Sequence, residues 1–435
     1  MLRLAIPETI FSAILVFLPI ILDFYFINQL KNSDSFFCLA FSNAILNVCF
    51  KSTESFSVAV ATKVGFFNGE KKYHLAARLL FNAILICFLF GLIQFSAFKY
   101  GAGFYLKHMG AMPHFFDETK TFLLYQSFAI FLSIFFMTFV GFLRGAKDSA
   151  GALAGLLFSV VIFVFFDYAL ILGKLGFPRL GINGSAIAAL LRYAAGSIFF
   201  SGYLFFAPKF KPFWKEKFAY FSWAEAKDLI AFSFPIFFDK SIISWSYVWL
   251  YKVVAMVDFK LVAAIEIVRN LERIAFIPAT ALAHVVSVVV SNNLGEKQEI
   301  KIRNNIIYAL GMTILSMLFL ITFIQIRSFD FMSFFSNNSN FLIYSAPVFK
   351  ITGWLLFFDA TQVIFAAALR ALGCVFFLAW TRFFAFLLFY IPSSLLILNA
   401  NLTDQVKLIM LHSFFFVTFA IIGLISLKKL LSIKK

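Results

Sequence analysis

Charge is scarce in this chain. Of its 435 residues only 13% are Asp, Glu, Lys or Arg, while 62% are hydrophobic. A soluble protein of this length could not hide that much apolar surface, so the composition excludes an ordinary globular domain and points to a chain that lies in lipid. Cysteine is also sparse. Cys38, Cys49, Cys87 and Cys374 all lie in or beside apolar runs, which excludes a disulfide framework and a thiolate metal site. The five histidines, His74, His108, His114, His284 and His412, show no ligand spacing. No Walker A stretch is present, which excludes direct use of ATP by that device. No Ser or Cys nucleophile elbow appears, and the loops are too short and too basic to form a catalytic domain, so no enzyme is expected. The first apolar stretch lacks a small-residue cleavage site and runs on to Asp23 and beyond. It reads as an uncleaved first span rather than a signal peptide.

What the chain has in excess is phenylalanine and positive charge: 66 Phe and a formal net charge of +16. The basic residues cluster in short loops and at the C-terminus. Membrane topology and anionic head groups explain them better than nucleic acid does. A helical span needs ~20 apolar residues, and that ruler gives about 12 spans. The first six run near Ala5–Leu30, Phe36–Phe66, Leu75–Phe98, Thr121–Leu143, Ala150–Leu172 and Asn183–Phe206. The second six run near Asp228–Tyr251, Leu261–Asn292, Asn305–Ile326, Phe341–Leu369, Cys374–Leu398 and Val406–Leu427. Loops at Glu70–Arg78, Arg144–Asp148, Lys209–Lys227, Glu296–Arg303 and Arg370 are the more basic set, which puts both termini in the cytoplasm by the positive-inside rule. The segment Lys209–Lys227 interleaves lysines with Phe210, Phe213, Trp214, Phe218, Tyr220 and Trp223. It is expected to lie along the inner membrane surface as a linker.

The two halves look like copies. Val64-Gly-Phe-Phe-Asn-Gly-Glu-Lys71 ends the second span, and Val290-Ser-Asn-Asn-Leu-Gly-Glu-Lys297 ends the eighth. Gly69 and Gly295 are 226 residues apart, as are Arg144 and Arg370 at the ends of the fourth and tenth spans. Two separate landmarks with one offset indicate a duplication. The expected architecture is an all-α integral membrane protein of two pseudo-symmetric six-helix bundles. It comprises an N-lobe over 1–207, a basic amphipathic linker over 208–227 and a C-lobe over 228–435, with a site at the bilayer midplane.

Carboxylates inside the spans are the chemistry-bearing feature. Asp23, Asp167 and Asp359 each sit in a long apolar run, where an ionised group costs several kcal/mol unless it faces a cavity, finds a partner or takes a proton. Asp23 and Asp167 lie ~25 Å into their spans by helical rise and are expected to meet. Two such carboxylates in low dielectric cannot both stay charged. Asp359 is followed by Thr361 and Gln362 on an apolar helix. The eighth span carries Glu266, Arg269, Glu272 and Arg273 at three- and four-residue spacing, so Glu266–Arg269 and Arg269–Arg273 are expected to share a face. Lys51 and Glu54 form an i,i+3 pair in the second span. Such pairs read either as neutralised structural contacts or as a polar cavity wall. Lys240, Arg192, Lys350 and Arg382 add to the cationic count, and Lys350 and Arg382 are expected to snorkel. Pro7, Pro19, Pro235, Pro278, Pro347 and Pro392 lie in spans and permit bends.

At these motifs the sequence resembles the multidrug and toxic compound extrusion (MATE) family. Ala5-Ile-Pro7 followed by Asp23 is similar to the family's opening helix, and Gly141-Phe-Leu-Arg-Gly-Ala-Lys-Asp148 to its Leu-Arg-Gly-x-x-Asp loop. Asp167 with Gly173-Lys-Leu-Gly-Phe-Pro-Arg-Leu-Gly-Ile-Asn-Gly-Ser-Ala-Ile-Ala188 resembles the fifth-to-sixth span pattern. Ile267, Asn270, Phe276, Pro278 and Leu294-Gly295 resemble the eighth span, and Asp359-Ala-Thr-Gln-Val363 with Ala368-Leu-Arg370 the tenth. The resemblance implies two six-helix lobes around an alternately opening cavity, with Asp23, Asp167 and Asp359 as ion-coupling carboxylates. It departs from the family at Phe163, Ala189 and Ile243, where oxygen-bearing side chains are common; Asp239 lies one turn before Ile243. Loss of oxygen ligands favours H⁺ over Na⁺ as the coupling ion.

The implied function is a secondary antiporter of the bacterial inner membrane that exports cationic or amphipathic organic solutes, needs no cofactor and works as a monomer in the bilayer. Asp239, Glu266, Arg269, Arg273, Glu54, Lys51 and Gln362 are the cavity candidates. The alternative, motivated by the intramembrane arginines, is a flippase for a lipid-linked oligosaccharide or other anionic lipid. A polyprenyl-phosphate enzyme is disfavoured by the short loops.

Overall fold

A computed structural model describes residues 2–29, 33–108, 113–214, 221–258, 261–335 and 339–433. Residues 16–29, 33–41, 43–45, 47–48, 108, 113–115, 263, 334–335 and 339–341 are described by backbone alone. Among the described residues every regular element is a helix. In the first half these are α1 (Leu2–Gln29), α2 (Ser33–Gly69), α3 (Tyr73–His108), α4 (Pro113–Gly145), α5 (Ser149–Leu172), α6 (Ile182–Phe206) and a 3₁₀ segment over Pro208–Trp214. In the second half they are α7 (Trp223–Val257), α8 (Leu261–Ala275), α9 (Ile277–Gly295), α10 (Glu299–Ile326), α11 (Ser328–Phe335), α12 (Ser339–Ala371), α13 (Val375–Ala385), α14 (Ile391–Asn399) and α15 (Asp404–Ser432). A π-helical turn over Phe386–Tyr390 joins α13 to α14 into one span. Ten helices among the described residues are long and apolar enough to cross a membrane. The first two expected spans fall on α1 and α2, whose side chains are described only in part.

The chain forms two compact units, one of residues 1–16 with 238–435 and one of 17–237. In the second of these, small residues let α2 and α4 approach closely. A Cβ on Gly141 would come within 2.4 Å of the Ser57 carbonyl oxygen, and one on Gly145 within 2.7 Å of that of Ala61. Ser57 Oγ also donates to the Met137 carbonyl at 2.6 Å. Lipid supplies no hydrophobic drive between helices, so this kind of close contact supplies the attraction. The first unit is built on an apolar core that includes Leu250, Ile265, Phe349, Phe386, Phe415 and Phe419, drawn from five helices or turns.

The sequence duplication reappears as backbone geometry. Lys71, Lys147, Lys297 and Gly373 all have positive φ, at 58°, 60°, 57° and 82°. Lys71 and Lys297 are 226 residues apart, and so are Lys147 and Gly373. Each closes its helix with the same pair of bonds: Lys72 N–H to Phe67 O, Asp148 to Leu143, Gln298 to Asn293 and Cys374 to Leu369, each with a companion bond from the preceding residue's N–H to the carbonyl three residues back. These are four Schellman caps, which satisfy the orphan carbonyls at a helix end.

Two expectations change. The eighth span is not one helix but α8 and α9, broken at Phe276 with Pro278 in the first turn of α9. Proline removes a donor and its ring displaces the carbonyl four residues back, so the helix restarts there. The linker does not lie wholly along a surface. Phe210 and Phe213 are buried and pack against Phe142, Phe213 edge-on and Phe210 at a tilt, and the Trp214 indole donates to the Leu204 carbonyl at 2.9 Å. Large rings gain more from burial than from an interfacial position when a helix end offers a cleft. Residues 215–220 of the linker lie outside the described residues.

Candidate functional site

The densest buried polar arrangement lies in the unit that contains α12, and it starts from Asp359. One turn later on the same helix, Gln362 Nε2 donates to Asp359 Oδ1 at 2.7 Å. The amide oxygen of Gln362 accepts from Arg382 Nη2 of α13 at 2.8 Å. Arg382 Nη1 lies 2.6 Å from Asp239 Oδ1 of α7, and Arg370 Nη1, from the last turn of α12, donates to Asp239 Oδ2 at 3.2 Å. Asp359, Gln362, Arg382, Asp239 and Arg370 thus form one connected chain of polar groups on three helices. Its two carboxylates and two guanidinium groups balance in charge.

Two basic residues behave otherwise than expected. Arg382 does not snorkel: its side chain is 1% exposed and its charge is met by Asp239. Arg370 is not a loop charge; it turns inward onto the same carboxylate and is buried. A guanidinium in a low-dielectric interior is tolerated where a carboxylate and hydrogen bonds meet it. Lys350, by contrast, is exposed.

A second cluster joins α8, α12 and α15. His412 Nε2 lies 2.9 and 3.1 Å from the two carboxylate oxygens of Glu272, and Thr352 Oγ1 donates to Glu272 Oε1 at 3.0 Å. All three side chains are buried. Electrostatic interactions link Glu272 to Asp359, and Asp359 to Arg382.

The rest of α8 is amphipathic. Ile265, Val268 and Leu271 are buried in the apolar core. On the other face the spacing-based pairing is rearranged. Glu266 pairs with Arg273 two turns on, at 3.2 Å. Arg269 turns away to donate to the Tyr251 hydroxyl at 2.7 Å, and its guanidinium lies 3.6 Å from the centroid of the Tyr247 ring. The Tyr251 hydroxyl in turn donates to Glu266. Stacking on tyrosine lets an arginine keep its charge where carboxylates are few.

In the other unit Asp167 is buried on α5 beside Phe163, one turn earlier on the helix. Arg192 of α6 is buried and lies over the rings of Phe163 and Tyr193, at 5.6 and 5.4 Å. Lys51 and Glu54 pair at 3.1 Å on a half-exposed part of α2. Asp23 lies on α1, but its side chain is outside the described residues, and so is its expected meeting with Asp167.

Sequence reasoning passed over Thr352, Tyr247, Tyr251 and His412. The signal that could have found His412 was the one used for the aspartates: an ionisable side chain inside an apolar span.

The MatE family model matches residues 9–169 and 235–396. A probable multidrug resistance protein NorM from Thermotoga maritima is 26% identical over 245 residues, covering 54% of this chain and 50% of that protein. The probable multidrug resistance protein YoeA of Bacillus subtilis is 26% identical over 250 residues, covering 56% and 53%. The chain therefore spans about half the length of these relatives. Among solved structures, an outward-facing multidrug resistance MATE family transporter of the MOP superfamily superposes with a TM-score of 0.89 at 17% identity, over 100% of this chain and 96% of that one. A MOP superfamily transporter from Pyrococcus furiosus, whose binding pocket is described as of reversed polarity, superposes at 0.88 with 15% identity over the same shares. At these identities the likeness is one of fold. With the family model matching both halves of a multi-pass membrane protein, the chain belongs to the MatE family.

Proposed function

We propose that this protein is a secondary antiporter that exports cationic or amphipathic organic solutes across the bacterial inner membrane in exchange for protons, with both termini in the cytoplasm. The observation that carries the reading is the unequal treatment of two buried carboxylates in one network. Asp239 faces two guanidinium groups, Arg370 and Arg382. Asp359 is held by a neutral amide, Gln362. A carboxylate with a neutral partner can take and release a proton; one clamped between arginines cannot do so cheaply.

Proton uptake at Asp359 has a structural consequence. It replaces a charge-assisted bond to Gln362 by a weaker neutral one. Gln362 is also the acceptor for Arg382, which ties α13 to Asp239 on α7. Protonation thereby changes the tension in a chain of bonds that crosses three helices. That is how a proton can favour one facing of a transporter while substrate favours the other. Asp167 and Asp23 are proposed as a further coupling pair. Membership of a family whose relatives are named multidrug resistance proteins supports organic solutes as cargo. The arginines that motivated a lipid flippase are met here by carboxylates or tyrosine rings, which removes that motive.

The test is transport of a fluorescent lipophilic cation in proteoliposomes under an imposed pH gradient and, separately, a sodium gradient. Accumulation driven by the pH gradient and lost in Asp359→Asn is the expected result. Accumulation driven by sodium alone, or unchanged in Asp359→Asn, overturns the reading.

A further inference from the structure

The Glu272–His412 pair is unused by this account, and its geometry is specific. The two residues are 140 positions apart in sequence, on α8 and α15. His412 is fully buried. Its Nε2 faces both oxygens of a carboxylate that already accepts from Thr352. Glu272 accepts from Thr352, and with Nε2 as the donor His412 makes one bond shared between the two carboxylate oxygens. The lone pair of the imidazole then sits on Nδ1. Among the described residues Nδ1 is buried and has no hydrogen-bond partner. Most buried side-chain polar atoms in native proteins have a hydrogen-bond partner. One position on this pair is therefore open to a proton, on the one side chain whose ordinary protonation range spans neutral pH.

The surroundings can hold either charge state. With Nδ1 bare the pair carries one negative charge. With Nδ1 protonated it is a neutral ion pair, packed beside the Phe416 ring with centroids 5.2 Å apart. The ionisable groups that bear on the pair come from each neighbouring helix. Asp359 of α12 interacts with Glu272, and Arg382 of α13 acts through Asp359. Tyr247 of α7 interacts with Glu272 and with Arg269 and Arg273 of α8. Tyr390, in the π-helical turn, interacts with Tyr247. Asp330 of α11 and Arg327, which precedes it, neutralise each other at the surface. Arg273, next to Glu272 in the chain, points to another face of α8, where it pairs with Glu266 and is 41% exposed.

We propose that Glu272 and His412 form a second, exchangeable proton-binding site in the same unit as Asp359, with His412 Nδ1 as the atom that gains and loses the proton in each transport cycle. The step is a plain protonation: the Nδ1 lone pair takes H⁺, the imidazole becomes imidazolium, the Nε2–H to Glu272 bond persists, and the reverse step returns the same proton. Through Glu272 the charge on this site is felt at Asp359, so the two sites report to each other. The proposal rests on the antiporter reading above and adds a second carrier to it.

Two measurements test it. The first needs no transport. Imidazole ¹⁵N resonances of the wild-type protein in nanodiscs, with His412 identified by its loss in His412→Gln, are followed between about pH 5 and pH 9. The expected result is that His412 passes from imidazolium to a neutral ring protonated at Nε2 within that range, with a midpoint that moves in Asp359→Asn. A ring that keeps one protonation state throughout overturns the proposal. The second counts protons per ethidium in proteoliposomes, from the pH gradient that just balances an opposing ethidium gradient. His412→Gln is expected to lower the ratio by about one, with Glu272→Gln doing the same. An unchanged ratio in both variants, against a proton-coupled wild type, overturns this proposal alone. A wild type whose ethidium movement ignores the pH gradient overturns the antiporter reading and this one with it.

Discussion

Neutralising Asp239 should be the most damaging single change in the buried network. The carboxylate is 2% exposed and meets Arg382, 1% exposed, at 2.6 Å and Arg370, 10% exposed, at 3.2 Å. In Asp239→Asn the ion pairs of Asp239 with Arg382 and Arg370 are both lost. Removing one partner of a buried ion pair costs about 3–5 kcal/mol, because the other charge is left uncompensated. Arg382 is 1% exposed, so the upper part of that range is expected. Arg382→Met should cost less, about 2 kcal/mol, since Asp239 loses its pair with Arg382 but keeps Arg370, and Gln362 loses one donor. The double variant Asp239→Leu with Arg382→Met replaces the most deeply buried charge pair by apolar volume and should be more stable than Asp239→Asn alone, which leaves Arg382 buried without its carboxylate partner. The surface pair Arg327–Asp330, 68% and 63% exposed, is the control: Asp330→Asn should cost under about 1 kcal/mol. Reversible unfolding in mixed micelles, titrated with sodium dodecyl sulfate, reads all four. An Asp239→Asn cost equal to that of Asp330→Asn, or a double variant less stable than the single, would refute the claim that this cluster holds buried, mutually compensated charge.

Other outcomes follow from the same geometry. Gly184→Ala should destabilise by about 1–3 kcal/mol, because a Cβ there would come within 2.7 Å of the Leu170 backbone, whereas Gly202→Ala, with no atom within 4 Å, should be neutral or stabilising by up to about 1 kcal/mol in the same unfolding assay. Glu225→Ala should loosen the start of α7, since Glu225 pairs with Arg78 and accepts from Asn82 at 2.9 Å; hydrogen exchange over residues 222–237 should rise with exchange in α15 unchanged. Gln362→Leu should weaken pH-driven accumulation in proteoliposomes at least tenfold while leaving a folded protein, because it severs Asp359 from Arg382 without adding charge. Unchanged transport in that variant would show that the relay through Gln362 is not used.

Much of the molecule was legible before any coordinates. Apolar runs of span length became membrane-crossing helices, for both properties are local: length and composition decide whether a segment can satisfy its backbone in lipid. The duplication was legible too, and the shared offset of Gly69 with Gly295 and of Arg144 with Arg370 returned as four matching helix caps, because cap geometry is written in a few consecutive residues. The i,i+3 pair Lys51–Glu54 formed for the same reason. Partnership across helices was not legible. An apolar helix gives no periodic signal for which side faces lipid and which faces protein, so Arg382 read as a snorkelling cation when it is the buried counter-charge of Asp239. Glu266 and Arg269, neighbours by spacing, chose Arg273 and the tyrosines of α7 instead.

Chain composition and local pattern, then, determined that this is a duplicated, all-helical membrane protein of the MatE family with carboxylates inside its spans. Only the tertiary structure decided which carboxylates are locked by arginine, which rests on a neutral amide, and that His412 of the last helix meets Glu272 of the eighth span. The physical reason is range. Helix formation is settled within a few residues, whereas the charge state of a buried group depends on whatever atoms the packed helices bring within about 4 Å of it.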